Sequence, residues 1–400
     1  MSATATPRSG TFAMLLSANT ILSAAMPMLI ILGGLAGLSL APSTALATLP
    51  ASVQTLAGLF AAGPFSLLMG RYGRKTGFMA GGALAILGGA MGTMALMINS
   101  FWLLCLAHLA MGGALACYQY FRFAAGEVVA PKWQPVAISL MLTSGLVAAL
   151  LGPQIFILVK DALAPIPFAG AYAAISVISV IGLLPLIFTS LPAAPERKVS
   201  PTDRPSDRWR AGFEVLKRKQ VRTAVAIGAF SQGVMVLLMI PTPLAMIGCG
   251  FSENTAGDVV RWHVVAMFAP SFMTGFLIKR FGTTVVSLTG LSLLALAAII
   301  AANGISAPHF YGSLIVLGVG WNFGFIGATS MLAQAVSDQE KALVQGVNDT
   351  IIALVSTICA FSSGTLLALF GWTALSYVGL AIVFVMITTL LVGKVQTVKA

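Results

Sequence analysis

The sequence SLLMGRYGRK occupies residues 66–75, and a related sequence, GFLIKRFG, occupies residues 275–282. Both contain a basic residue, an aromatic residue and a glycine in succession, Arg71-Tyr72-Gly73 in the first copy and Arg280-Phe281-Gly282 in the second. Each copy lies between two long apolar segments, where glycine permits a tight turn. The repetition indicates that the chain is built from two related halves.

The composition indicates a membrane protein. Apolar residues make up 58% of the 400 residues and charged residues only 8%, whereas about 25% of the residues of soluble domains are charged. Apolar runs of about 20 residues, long enough to cross the hydrocarbon core of a bilayer, follow one another along the chain. The predicted spans are residues 11–38, 44–69, 77–98, 101–124, 134–159, 167–190, 222–247, 255–279, 283–303, 308–333, 342–369 and 372–393.

These spans predict an all-α membrane protein with twelve transmembrane helices in two six-helix bundles, residues 1–192 and 222–400, joined by a hydrophilic cytoplasmic linker at 193–221. With both termini in the cytoplasm, only Lys160 and Arg261 of the 22 Lys and Arg lie on the outer side, as the positive-inside rule requires. The net charge of +11 therefore reflects membrane topology. We expect membrane lipid, and no nucleic acid, as a partner.

Two patterns on neighbouring spans place soft side chains four residues apart, Met235-Val-Leu-Leu-Met239 and His263-Val-Val-Ala-Met267. Side chains at this spacing share one face of a helix. At 1.5 Å per residue, Met235 and Met267 lie about 20 and 18 Å from the cytoplasmic boundary, and Met239 and His263 about 26 and 24 Å from it. The four side chains are therefore expected at matching depths.

Thioethers and a neutral imidazole are ligands that suit Cu(I), whereas calcium and magnesium prefer oxygen. Pro241 and Pro243 lie two and four residues after Met239 and are expected to break the helix just beyond this site. Methionine in a membrane helix usually serves packing. The spacing alone therefore leaves two interpretations open, a copper site and an apolar packing cluster.

The repeated turn and the two halves resemble the major facilitator superfamily. In this chain Gly70 occupies a position where Asp is common in that superfamily. The Met and His patterns, the sequence Gly320-Trp-Asn-Phe323 and the sequence Val344-Gln-Gly-Val-Asn-Asp349 resemble the CcoA-like branch of the superfamily, which also includes riboflavin transporters.

This resemblance implies a copper importer of the bacterial inner membrane that supplies copper for assembly of a cbb-type cytochrome oxidase. It implies Met235, Met239, His263 and Met267 as ligands of a transported Cu(I), with no permanently bound cofactor. It also implies copper chaperones as partners and a functional monomer.

Further polar and sulfur-containing residues are candidates for accessory roles. Met246 and Cys249 are expected to pass copper inward from the outer mouth, while Gln232 and Asn322 are expected to hydrogen-bond across helices or to a polar substrate. Charged residues in or near spans are expensive and tend to be functional. The candidates for coupling or gating are Asp349, Arg122, Glu127, Arg71 and Arg74. His108 shares its helix with Cys105 and Met111 at three-residue steps, for which packing or a weak relay is the expected role.

Other functions remain open at this point. Gly152-Pro153 resembles part of the signature of drug antiporters but lacks the glycine pair that follows it, so helix kinking with close packing is its expected role. The transporter alternatives to copper import are a carrier of organic solutes such as riboflavin and an efflux pump. A membrane copper sensor or assembly factor, which binds the ion without moving it, belongs to a different class. The sequence contains no phosphate-binding glycine loop and no catalytic triad pattern, so an enzyme is not expected.

Overall fold

The computed structural model describes residues 9–130, 133–189, 191 and 214–398. Within these ranges every regular element is a helix. The first group of helices comprises α1 (Ser9–Ser23), α2 (Ala25–Leu40), α3 (Leu49–Tyr72), α4 (Arg74–Met97), α5 (Phe101–Tyr118), α6 (Phe121–Glu127), α7 (Gln134–Val159) and α8 (Ala169–Ile187). The second comprises α9 (Lys219–Met239), α10 (Thr242–Gly248), α11 (Glu253–Phe268), α12 (Ser271–Phe281), α13 (Thr283–Ala302), α14 (Ala307–Ala335) and α15 (Asp338–Val398).

The chain forms two compact units, Met1–Arg197 and Lys198–Ala400. In the first unit, α3, α4 and α5 pack on one another, and α8 packs on α1 and α4. In the second unit, α14 packs on α9, α11 and α13, while α15 packs on α9 and α13. Residues 193–213, most of the predicted linker, lie outside the described residues.

The described helices account for the predicted spans. Within the part of the chain that the structure describes, nine helical segments are long and apolar enough to cross a membrane, and the bent pair α11 and α12 makes a tenth. One of the nine contains two successive predicted spans, because α15 is interrupted at Gly371 by a positive φ of 78°. The described apolar part of α7, Thr143–Val159, is shorter. Adding the second half of α15 and α7 to the ten gives the twelve predicted spans.

The two copies of the repeated motif form equivalent turns. Gly73 separates α3 from α4 with a φ of 88°, and Gly282 separates α12 from α13 with a φ of 82°. A positive φ favours glycine because residues with a Cβ atom are strained there. Large apolar side chains face outward on these helices, including Leu67 at 76% and Phe276 at 77% exposure. Such surfaces are suited to lipid and not to water.

Two further sequence features have local structural consequences. Helix α9 ends at Met239 and α10 begins at Thr242, so the chain breaks at Pro241 as predicted. Thr242 Oγ1 donates to the Leu238 carbonyl at 2.6 Å across this break. A Cβ atom on Gly152 would lie 2.5 Å from the carbonyl oxygen of Ala24. Gly152 therefore serves close packing of α7 at the junction of α1 and α2.

A surface ion pair joins the beginnings of α9 and α15. Arg218 Nη2 lies 2.6 Å from Glu340 Oε1. The hydrogen bonds from Arg218, followed by those from Ser337, lower the pKa of Glu340 to about 2. Because this carboxylate binds its proton less readily in the folded protein, the pair contributes stability above the ordinary Glu pKa of about 4.3. That contribution is lost as the pH falls toward 2.

Candidate functional site

The site begins at the bend of the eighth predicted span, between α11 and α12. The two helices meet at 40°, and Pro270, which has no backbone N–H, lies at the break. Asn322 of α14 donates from Nδ2 to the Met267 carbonyl at 2.6 Å and to Ser271 Oγ at 2.7 Å. Thr274 Oγ1 donates to Asn322 Oδ1 at 2.6 Å. Asn322 is fully buried, so one amide satisfies polar groups on both sides of the bend.

Next to this amide lies an aromatic group, which we define as Phe268, Trp321 and Phe325. The rings of Trp321 and Phe325 are stacked, with centroids 5.0 Å apart and planes 17° apart. Phe268 meets Trp321 edge to face at 6.3 Å. All three side chains are half-buried. The protein therefore covers only part of each of the three rings.

Gln232 of α9 adds a polar contact to the aromatic group. Trp321 Nε1 donates to Gln232 Oε1 at 2.6 Å. Because an indole N–H can only donate, Gln232 must present its oxygen to Trp321, and its NH₂ group is left as a donor. Gln232 and Asn322 both hydrogen-bond across helices, as the sequence predicted. The arrangement suits a planar ligand that carries hydrogen-bond acceptors.

His263 of α11 occupies a fully buried position with a defined tautomer. Its Nδ1 lies 2.7 Å from the Leu314 carbonyl oxygen. Since a carbonyl only accepts, Nδ1 carries the hydrogen, and Nε2 therefore has a lone pair. Nε2 is buried and has no hydrogen-bond partner within the described residues. An imidazole held through Nδ1 with a free Nε2 is the usual arrangement of a histidine that binds a metal.

The four predicted ligands are all buried. Met235, Met239, His263 and Met267 are exposed by 3%, 6%, 0% and 2% respectively. None of the four therefore faces lipid. Within the described ranges no three His, Cys, Asp or Glu side chains form a group that could hold a metal ion, so a copper site here would require the methionine thioethers.

The two helices that carry these side chains both pack on α14. A Cβ atom on Gly318 of α14 would lie 2.6 Å from the His263 carbonyl oxygen. His263 of α11 and Gly318 of α14 therefore lie at the same depth along the helices. Gln232 contacts Trp321, and because α9 and α14 run in opposite directions, Met235, one turn beyond Gln232, is level with Gly318. Met235 therefore lies near the depth of His263 and Met267. Coordination of one ion by all four side chains stays a prediction.

The accessory candidates occupy different environments. Met246 is fully buried in α10, whereas the Cys249 thiol is exposed. Asp349 is exposed and accepts a hydrogen bond from Asn348 Nδ2 at 3.1 Å. Arg122 is half-buried, with its guanidinium 4.9 Å from the centre of the Phe123 ring. Their proposed relay and coupling roles stay predictions.

Two of the gating candidates are brought together. Arg74, at the start of α4, forms an ion pair with Glu127, at the end of α6, with Nη2 and Oε1 2.7 Å apart. The guanidinium of Arg71 lies over its neighbour Tyr72, 5.2 Å from the ring centre. Lys75 donates to the carbonyl of Ile187 at the end of α8 at 2.7 Å. Through Arg74 and Lys75, the start of α4 therefore contacts the ends of α6 and α8 in the first unit.

The aromatic group was not predicted from the sequence. Trp321 belongs to the motif Gly320-Trp-Asn-Phe323, but the motif does not indicate what the ring contacts, and Phe268 and Phe325 belong to no recognisable pattern. Trp321 and Phe325 are four residues apart and so share a helix face, which is the one available signal. Phe268 is on another helix, and its contact with Trp321 depends on how α11 and α14 pack.

The two six-span halves, the bent span and the partly covered polar and aromatic groups inside spans define a multi-pass membrane transporter. The comparisons agree. The chain is 36% identical over 365 residues, 91% of each chain, to riboflavin transporter RfnT of Brucella anthropi. It is 30% identical to the MFS-type transporter YdeG of Bacillus subtilis, over 87% of this chain and 83% of that protein. The chain belongs to the major facilitator superfamily.

Solved structures support the fold. A mutant form of the nucleoside transporter NupG superposes with a TM-score of 0.73 at 13% identity, covering 96% of this chain and 99% of the other. A POT family transporter gives a TM-score of 0.72 at 13% identity, with 97% of both chains covered. No family model matches the chain. The expected CcoA-like assignment gains no support from these relatives, since the substrate that a sequence relative's name carries is riboflavin.

Proposed function

We propose that this protein is a secondary transporter of the bacterial inner membrane that carries riboflavin or a similar planar heterocycle by alternating access, with both termini in the cytoplasm. The observation that carries the proposal is the half-buried aromatic group beside Gln232. The 36% identity to a protein named as a riboflavin transporter supports the same substrate class.

The chemistry of riboflavin matches these side chains. Its isoalloxazine ring is flat and aromatic, and its carbonyl oxygens and ring nitrogens accept hydrogen bonds. Stacking on an aromatic side chain contributes about 0.5–1.5 kcal/mol to binding, in addition to the free energy gained from burial of apolar area. The NH₂ group of Gln232 supplies a donor at the edge of the Trp321 ring. The ring system, more than the ribityl chain, is therefore the part of the substrate that this group recognises.

Uptake of radiolabelled riboflavin into proteoliposomes tests the proposal. We expect saturable uptake that lumiflavin, the ring system without the ribityl chain, inhibits, and that ribitol does not inhibit. Empty liposomes and liposomes with the denatured protein are the controls. Absence of saturable uptake would contradict the proposed substrate, and inhibition by ribitol alone would contradict ring recognition.

A second candidate function is import of copper for assembly of a cbb-type cytochrome oxidase. The observation in its favour is His263 Nε2, a buried lone pair without a partner within the described residues, level with methionine thioethers. Radiolabelled copper uptake that disappears in His263→Ala and Met235→Ala, with riboflavin uptake unchanged, would support it. Copper in the purified protein without copper uptake would instead support a sensor or assembly factor.

We propose that the Arg74–Glu127 ion pair stabilises the packing of α4 against α6 while the transporter changes conformation. Exposed pairs contribute up to about 1 kcal/mol, so Glu127→Arg, which puts like charges together, is expected to lower the riboflavin uptake rate by up to about fivefold. The double variant Arg74→Glu with Glu127→Arg should restore most of the rate, because it reverses the pair. An unchanged rate in Glu127→Arg would show that the pair has no role in the transport cycle.

A further inference from the structure

A buried hydrogen-bonded chain of three side chains lies in the first unit, remote in sequence from the candidate site. His108 of α5 lies with Nδ1 2.9 Å from Gln54 Oε1 of α3 and with Nε2 2.7 Å from the Tyr172 hydroxyl of α8. His108 and Tyr172 are both fully buried. The chain therefore ties three helices together inside the membrane-spanning region.

The direction of these hydrogen bonds follows from their partners. The Tyr172 hydroxyl has His108 as its one hydrogen-bond partner within the described residues, so its hydrogen points to Nε2. Nε2 must then accept, which leaves the ring hydrogen on Nδ1, where it is donated to Gln54. The packed arrangement thus holds His108 in one neutral tautomer.

The surroundings offer no counter-ion for a charged imidazole. Among the described residues of the helices around His108, α1, α2 and α8 contain no charged side chain, and those of α3 and α4 are Arg71, Arg74 and Lys75 at the helix ends. The titratable neighbours are the Tyr172 phenol and the Cys105 thiol, one turn away on α5. Gly33 of α2 closes the site, since a Cβ atom there would lie 3.4 Å from His108 Cε1. Within the described part of these helices, no carboxylate faces the ring.

We propose that His108 is a proton-binding site that can accept a proton only when α5 and α8 separate. A proton added to Nε2 makes that nitrogen a donor, so the Tyr172 hydroxyl can no longer donate to it, and its hydrogen is left buried without an acceptor. An unpaired imidazolium in an apolar interior is also costly. Proton binding and the packed Gln54–His108–Tyr172 chain therefore exclude each other, and acidification favours conformations in which the three helices have moved apart.

Acidification is expected to destabilise the packed state of the first unit. The packed state binds no proton at His108, whereas a solvated histidine binds one below about pH 6.5. The packed state is therefore favoured above that pH and loses stability as the pH falls. The thermal unfolding midpoint of the purified full-length protein, followed by tryptophan fluorescence in detergent between pH 8 and pH 5, reports this loss.

The expected results distinguish His108 from the other two histidines. His108→Gln should make the acid-induced fall of the midpoint clearly smaller than in the wild-type protein, because the buried imidazole that would bind the proton is gone. His309→Gln, a partly exposed position beside Ser306, should leave the profile unchanged. A wild-type pH profile in His108→Gln, or an equal change in His309→Gln, would overturn the proposal.

A second variant and a second measurement cover the case in which His108→Gln does not fold. Tyr172→Phe keeps the ring volume and removes the competing hydroxyl, so it should also flatten the pH profile. In nitrogen-15 histidine spectra at pH 7, the signal that changes most in Tyr172→Phe should show the hydrogen on Nδ1. A hydrogen on Nε2 at His108 would contradict the proposed chain of hydrogen bonds. Neither measurement involves a transported substrate, so these outcomes are independent of the proposed transport function.

Discussion

Replacement of Trp321 by alanine is expected to reduce riboflavin uptake by about 10- to 100-fold. The change removes the ring that stacks on Phe325 and that contacts Phe268. Loss of a stacking contact together with buried aromatic area costs about 1.4–2.8 kcal/mol, and each 1.4 kcal/mol is a tenfold change in binding. Gln232 also loses the N–H that orients it. Initial uptake rates across a range of riboflavin concentrations measure the effect.

Two further tryptophan variants sharpen this prediction. Trp321→Phe keeps an aromatic ring but removes the N–H to Gln232, so we expect a smaller loss, a few-fold, mainly in the apparent KM. Trp262→Ala serves as the matched control because this side chain is 45% exposed on the surface of α11. Normal uptake by Trp321→Ala, or an equal loss in Trp262→Ala, would show that the aromatic group does not bind the substrate.

Replacement of Asn322 by leucine is expected to abolish uptake and to lower the stability of the second unit. The leucine cannot bond the Met267 carbonyl, Ser271 Oγ or Thr274 Oγ1. A buried polar group left without a partner costs about 1–3 kcal/mol. Without these bonds the bend at Pro270 loses its support, and Phe268, next to Met267, shifts relative to Trp321. The thermal unfolding midpoint and riboflavin uptake should therefore both fall.

Asn303 provides a matched control for the Asn322 variant. Asn303→Leu, at an exposed position that bonds its own helix through the Ile299 carbonyl, should change neither quantity appreciably. Thr274→Val removes one partner of Asn322, so the effects of Asn322→Leu and Thr274→Val should be less than additive in the double variant. Full additivity, or wild-type stability in Asn322→Leu, would contradict a supporting role at the bend.

Much of the architecture could be predicted because a bilayer imposes it. Each segment that crosses hydrocarbon must satisfy its backbone internally, so long apolar runs become helices, and the positions of the spans follow from hydropathy. The turns at Gly73 and Gly282 and the break at Pro241 were also predictable, because the backbone chemistry of glycine and proline acts locally. The substrate could not be predicted in the same way. The four-residue spacing of Met235 and Met239 and of His263 and Met267 indicates which residues share a helix face, but it does not indicate what that face binds.

The sequence by itself determined the membrane class, the two six-span halves and the location of Met235 and His263 within spans, because hydropathy and local backbone preferences act over a few residues. Only the tertiary structure decided that Trp321 meets Phe268 and Gln232, that Asn322 supports the bend at Pro270 and that His108 joins Gln54 to Tyr172. The physical reason is that these contacts depend on how far each helix is rotated and shifted against its neighbours. Packing of side chains from several helices sets that rotation, and no single helix encodes it.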